Sequence, residues 1–190
     1  GYICSIRDSY ISQITDIITD DEEIYDHIYE FMEQSQKSEI DKLAMWNPEH
    51  GKLDAVYNVS RTLEHALMPK VWLKSGAYII IQPTEALVSI DVNTGKAISK
   101  KKDIEKTFLK VNLEAAKEIA HQLRLRNLSG IIIIDFIDMK TDEYNKQLMD
   151  CLRQELSKDS VRTIAVDMTK LGLVEVTRKK VRKSLYEQIS

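Results

Sequence analysis

Residues 131 to 139 read IIIIDFIDM, and no other stretch narrows the fold as far. Four isoleucines in succession suit a dry interior. The run lacks polar alternation, the pattern of a central parallel strand buried on both faces. Asp135 follows at once, and Asp138 comes three positions later. A carboxylate at the edge of so apolar a strand costs free energy unless a hydrogen bond, a basic partner or a metal ion compensates it.

The flanks of this strand set its context. Asp103 to Arg126 reads as the longest helix, with Ile104, Phe108, Val111, Ala115, Ile119 and Leu123 on one face. Arg124 and Arg126 fall in its last turn, where cations oppose the helix dipole favourably. NLSG then breaks it. Upstream, AYIII and ALVSIDVN read as a hairpin across QPTE, which carries Pro83. Downstream, Thr141 to about Ser157 is helical, with Tyr144, Leu148, Cys151, Leu152 and Leu156 inward, and RTIAV is the next strand. Strands alternating with helices imply an α/β fold with right-handed crossovers.

The N-terminal third has a different texture. Asp20 to about Gln34 reads as a helix with Ile24, Ile28, Phe31 and Met32 apolar and acids in its first turn. A polar stretch, 36–39, reads as a loop. Leu53 to Leu67 reads as a second helix, ended by Pro69. LKSGAY places a boundary near Ser75. The expectation is therefore an α+β piece over residues 1–74 and an α/β domain with a mixed sheet and βαβ units flanked by helices over 75–190.

Composition narrows the function classes. A chain of 190 residues with 43% hydrophobic residues can bury a real core, as one large domain or two small ones. No window approaches a membrane-spanning apolar run, and no signal-peptide pattern is present. The chain opens on GYICSIRDSY without a plausible start, so it reads as a piece of a longer protein. Cys4 and Cys151 lack metal-ligand spacing and read as reduced, buried thiols of a cytosolic protein. The net charge of −3 argues against simple coating of nucleic acid. Its distribution is uneven. Seven acids and no Lys or Arg lie between Asp16 and Glu30, and seven bases lie between Val161 and Lys183. Lys96, Lys100, Lys101 and Lys102 add a further basic cluster. One face for a polyanion and ordinary solvated faces both account for this.

The carboxylates carry the chemistry. In ALVSIDVN, alternation puts Ser89, Asp91 and Asn93 on the face opposite Val88, Ile90 and Val92. Asp91 and Asp135 both end strands. If one helix joins those strands in parallel, both carboxylates emerge at the same sheet edge, where open α/β sheets bind ligands. Two adjacent carboxylates repel unless a cation separates them. A hard divalent ion such as Mg²⁺, which takes one or two carboxylates, water and substrate phosphate, suits the pair. Asn93 would orient Asp91 or a bound water. With Lys and Arg nearby, metal-assisted phosphodiester hydrolysis is the matching reaction class. Strand-end aspartates are also commonly caps, and Asp138 before Thr141 reads as a cap or as a residue supporting the pair. His27, His50, His65 and His121 read as surface residues, and Trp46 and Trp72 as packing rather than base-stacking residues. NTGK lacks the GxxxxGK[ST] pattern of a phosphate loop.

Three segments, TEALVSIDVNTGK, KVNLEAAKEIAHQLRLRNLSGIIIIDFIDM and LGLVEVTRKKVRKSL, resemble the catalytic core of the RNase E/RNase G endoribonucleases. The resemblance runs from about Ser75 to Leu185 and extends weakly upstream through IRDSY and MPKVWLKSGAY. It implies a DNase I-like catalytic subdomain over 75–190, preceded by the end of an RNase H-like subdomain over 1–74. It further implies that Asp91 and Asp135 hold the catalytic Mg²⁺, with Mn²⁺ able to substitute, and that Asn93 stands beside them. Arg162 matches an arginine implicated in binding RNA, and Lys170 stands where the family usually has Arg; the basic C-terminal segment adds Arg178 and Lys180 as expected RNA contacts. The implied substrate is single-stranded, A/U-rich RNA, cut in cytoplasmic RNA processing and decay to leave 5′-phosphate and 3′-hydroxyl ends. The family's OB-type RNA-binding domain and its CPxC zinc-link have no counterpart here, so zinc is not expected. The resemblance thus implies a catalytic piece of a longer protein able to form homo-oligomers when whole, with its oligomeric state and its activity in isolation left open. Two alternatives stand beside it: a non-catalytic module binding RNA or a partner, and a receiver-type phosphotransfer site.

Overall fold

The computed structural model describes residues 2, 3, 6, 14–97 and 103–189, and the chain divides into two compact units, Gly1–Glu64 and His65–Ser190. Lys100, Lys101, Lys102, Cys4 and residues 7–10 of IRDSY lie outside the described residues.

In the first unit a short parallel pair, β1 (Ile17–Thr19) and β2 (Leu43–Met45), accompanies α1 (Glu22–Ser35). Asp21 caps α1, its carboxylate accepting from the Ile24 amide at 3.0 Å, and Glu22 and Glu23 fill the first turn. Ile28 and Met32, one turn apart, are buried with Ile6 and Leu43 in a small core. The stretch expected as a loop tightens into a 3₁₀ helix over Lys37–Lys42. The single helix expected over Leu53 to Leu67 is instead two, α2 (Leu53–Tyr57) and α3 (Val59–Leu67). Asn58 breaks it by adopting the left-handed conformation, φ 52°, which Asn tolerates better than most side chains. Trp46 packs as expected: its indole N–H donates to the Gly51 carbonyl at 2.8 Å and its ring meets His50 and Tyr57.

The second unit is α/β, a six-stranded mixed sheet with helices on one face. The strands are β3 (Lys70–Trp72), β4 (Tyr78–Pro83), β5 (Val88–Asn93), β6 (Gly130–Asp135), β7 (Thr163–Met168) and β8 (Leu173–Arg178). They lie in the order β3-β4-β5-β6-β8-β7. The long α4 (Ile104–Leu125) joins β5 to the parallel β6, and α5 (Asp142–Leu156) joins β6 to β7. A short α6 (Leu185–Ile189) follows the sheet. β8 fills the gap between β6 and β7, antiparallel to both. The sequence expectation includes no strand over LVEVTR, although Val174 and Val176 alternate with Glu175 and Thr177 as a half-buried strand requires. β3 lies upstream of Ser75 yet pairs with β4, so the units divide earlier than the expected boundary.

The core shows why β6 is not what its composition suggests. Ile79, Ile81, Ile90, Ile132, Ile134, Val174 and Val176 are buried against Val111, Ala115, Ile119 and Leu123 of α4 and Leu148 and Leu152 of α5. Among the described residues the other face carries no such layer: Ile131 is 53% exposed and Ile133 is only half-buried. The four isoleucines therefore alternate in a strand buried on one face, not two. Ile104, at the first position of α4, is also exposed rather than inward. Cys151 is half-buried, and partial burial pushes its thiol pKa up.

Candidate active site

Asp135 ends β6, Asp91 lies two residues before the end of β5 at Asn93, and the two are direct partners in the parallel register. Neighbouring strands run about 4.8 Å apart, and the alternation places both carboxylates on the exposed face of the sheet. Two residues after Asp91, the Asn93 amide donates to Asp91 Oδ2 at 2.6 Å, holding one carboxylate oxygen in place. The Asp135 carboxyl pKa lies above its usual value, raised first by partial burial and then by the negative charges of Asp91 and Asp138. Among the described residues no group of three or more His, Cys, Asp or Glu converges into a protein cage for a cation. Two carboxylates on an open surface remain, the donor set that Mg²⁺ accepts when water and phosphate complete its shell.

The loop that follows Asp135 is held from below by side chains that sequence reasoning passed over. Asn112, fully buried in α4, donates through Nδ2 to the Ile137 carbonyl at 2.8 Å and accepts from the Ile137 amide at 3.0 Å. Asn145 of α5 donates to the Met139 carbonyl at 3.2 Å. Glu105 accepts from the Lys140 amide at 2.8 Å and from the Thr141 hydroxyl, contacts that depress its pKa, the hydroxyl's first. The available signal was Asn112 itself: an amide on the apolar stripe of an amphipathic helix needs a buried partner.

Asp138 is no helix cap. Thr141 occupies the N-cap position of α5, and Asp138 instead lies beside the turn between β7 and β8. A Cβ built on Gly172 would sit 3.1 Å from Asp138 Oδ1, and the backbone there has φ +83°, so only glycine lets that turn approach so closely. A second close approach flanks Asn93. Gly95, φ +53°, leaves room for the Gly76 carbonyl, with which a Cβ would collide.

The structure separates the expected RNA contacts. Lys170 is exposed in the β7–β8 turn, next to the Leu173 end of β8 that pairs with Asp135. Arg162, Arg178 and Lys180 cluster at the other end of the sheet, where Arg178 pairs with Gly130, roughly 17 Å along the strands from Asp135. Arg178 is moreover only 4% exposed. Its guanidinium is engaged by Asp159 at 2.8 Å, Asn127 Oδ1 at 2.8 Å and the Leu128 carbonyl at 3.0 Å. An RNA contact by Arg178 is thus corrected to a structural role. Arg162 is exposed, and exposed Lys180 reaches Glu187 at 3.4 Å beside an apolar cavity of about 710 Å³ that Arg126 also lines. The carboxylates lie at the opposite end from that cavity, on open surface. Other exposed lysines stand on the strands and loops around them: Lys96 of the expected basic cluster after β5, and, unforeseen from the sequence, Lys70 and Lys74 at β3 and Lys140 after β6. All four histidines are exposed, as expected. No helix among the described residues is long and apolar enough to cross a membrane.

Fold and site define a class: a mixed α/β sheet, helical on one face, that presents paired strand-end carboxylates on the other. Residues 2–181 match the model of the Ribonuclease E/G family, and the chain belongs to that family. It is 42% identical over 180 residues to Ribonuclease G of Haemophilus influenzae and 39% identical over 180 residues to Ribonuclease G of Escherichia coli K12, each alignment covering 95% of this chain and 36% of the relative. Against Ribonuclease E of a Synechocystis species it is 39% identical over 184 residues, 96% of this chain and 27% of the relative. The chain thus spans about a third of the length of these curated relatives.

Proposed function

We propose that this chain carries the catalytic centre of a Mg²⁺-dependent endoribonuclease acting on single-stranded, A/U-rich RNA in cytoplasmic RNA processing and decay. The observation that carries the reading is the register pairing of Asp91 with Asp135, with Asn93 hydrogen-bonded to the former. Membership of the Ribonuclease E/G family supports it.

Asp91 and Asp135 would hold the ion between them. When bound, Mg²⁺ supplies Lewis acidity toward the phosphate and acidifies water at neutral pH. The protein's own groups do the rest. Asn93 fixes the Asp91 carboxylate through Oδ2 and so limits its rotation. Asn112, through Ile137, keeps the segment after Asp135 from drifting, and an ångström of drift is costly in a reaction that depends on alignment. Lys170, Lys96 and Lys140 raise the local concentration of a phosphate backbone. An open sheet face, rather than a closed pocket, suits an extended strand that enters and leaves on either side.

Water attack on phosphorus with departure of the 3′ oxygen leaves a 5′-phosphate and a 3′-hydroxyl. The ribose 2′-hydroxyl is not the nucleophile in this scheme. Cleavage of a 5′-monophosphorylated A/U-rich oligonucleotide by the full-length protein is therefore expected to survive a 2′-deoxy substitution at the scissile nucleotide. Mass spectrometry of the products reads the ends directly. Products bearing 2′,3′-cyclic phosphates, or loss of cleavage on 2′-deoxy substitution, would overturn the reading.

A further inference from the structure

Trp72 was expected to pack, but it is 58% exposed on the edge strand of the sheet. It does not stand alone. Its register partner is Tyr78, and the two rings meet edge to face, centroids 5.2 Å apart at 63°. The Lys70 ammonium sits 4.1 Å from the Trp72 ring centroid and 3.7 Å from that of Tyr78. Tyr78 in turn pairs with Asn93, and Ile80 with Asp91. Lys70, Trp72 and Tyr78 therefore share a sheet face with Asp91, Asn93 and Asp135; Lys70 lies two strand spacings, roughly 10 Å, from Asp91, and Trp72 the same distance from Asn93.

A pair that merely shielded the sheet edge would bury its larger ring; here the larger ring is the one left open. Tyr78 braces it from one side, and the Gly95 turn braces Tyr78, since a Cβ on Gly95 would lie 3.3 Å from Tyr78 Cδ1. The result is a supported indole with its own cation, which is the equipment single-strand binders use: a ring on which any base stacks, and a positive charge for the adjoining phosphate. We propose that Trp72, backed by Tyr78 and Lys70, is a stacking platform for a base of the RNA strand flanking the scissile phosphate. The proposal rests on the nuclease reading above for its orientation toward Asp91. It adds a subsite that discriminates stacked single strands from duplexes without reading base identity.

The test uses the full-length protein in metal-free buffer, so that binding is read without cleavage. A labelled single-stranded oligoribonucleotide is titrated by anisotropy, alongside a set in which one nucleotide at a time is abasic. Wild type is expected to show one position where loss of the base weakens binding about 5- to 100-fold, the worth of one stacked base. In Trp72→Ala the intact oligonucleotide binds weaker by the same factor and the penalty at that position disappears, whereas Trp72→Phe retains most of both. Lys70→Ala lowers affinity and the salt dependence but keeps the positional penalty. Unchanged affinity in Trp72→Ala, or an abasic pattern identical to that of wild type, would overturn the platform, as would absence of RNA binding. The nuclease reading is scored separately by the Mg²⁺-dependent cleavage of wild type and Asp91→Asn. Loss of that reading with the Trp72 pattern intact would leave a binding surface, and the converse a nuclease without this subsite.

Discussion

Asp135→Asn is expected to lower RNA cleavage about 100-fold or more, yet to leave the melting temperature in metal-free buffer unchanged or slightly higher. The two halves of this expectation share one cause. Asp135 stands in register beside Asp91, with the Asp138 charge close by, and its pKa is raised by partial burial and by those neighbours. A carboxyl whose pKa is higher folded than unfolded binds its proton more tightly in the folded state. Such a group detracts from stability above its folded pKa, and stability recovers as pH falls through the interval between the two values. The neutral amide removes the repulsion and with it the ability to hold a divalent cation. Thermal melts of wild type and variant from pH 4 to pH 8, with and without Mg²⁺, check the sign. The variant should lose the Mg²⁺-induced rise in melting temperature. A variant that melts well below wild type in metal-free buffer would show that Asp135 serves the fold.

Arg178→Ala should do the reverse, unfolding the sheet rather than disarming it. The Arg178–Asp159 pair is 3% exposed on each side, and the guanidinium also bonds Asn127 and the Leu128 carbonyl. Burial raises the Asp159 pKa, but the hydrogen bonds from Arg178, the Val161 amide and Thr163 outweigh it and hold the value below the ordinary range. Removing one partner leaves a buried charge uncompensated, at a cost of about 3–5 kcal/mol. In a protein of this size that lowers the melting temperature by roughly 10 °C. The paired replacement Arg178→Met with Asp159→Leu should recover much of the loss, because it removes both charges together. Because the Asp159 pKa is depressed, its stabilisation is full above the unfolded value and disappears as pH falls through the folded one. The wild-type and Arg178→Ala curves should therefore converge in strong acid. Denaturant melts across pH measure this; an Arg178→Ala variant as stable as wild type but deficient in RNA binding would restore the contact first expected of it.

These two residues mark what the sequence could and could not convey. Asp91 and Asp135 were legible because strand alternation and one connecting helix fix both which face and which end of the sheet a residue occupies. Arg178 was misleading because a basic run is counted by charge, whereas β8 reaches only to Arg178 and its alternation turns that one member inward. Lys179 and Lys180 are exposed while Arg178, on the core phase with Val174 and Val176, is not. The same period explains the isoleucine run: composition announced burial, but burial on both faces requires a second layer that no property of the strand itself reveals. β3 was missed because three residues carry too little pattern, and its pairing with β4 is a tertiary fact. Asn112 and Gly172 act through contacts far away in sequence, at Ile137 and Asp138, which local periodicity cannot encode.

The central claim is that Asp91 and Asp135 act as one metal-holding unit. Initial cleavage rates of a 5′-monophosphorylated single-stranded RNA, titrated with Mg²⁺ for wild type, Asp91→Asn, Asp135→Asn and the double variant, test it most directly. A shared ion requires wild-type activity to saturate with Mg²⁺, each single variant to fall about 100-fold or more, and the double variant to fall little further, because either loss already empties the site. Mg²⁺-dependent cleavage undiminished in either single variant would contradict the account.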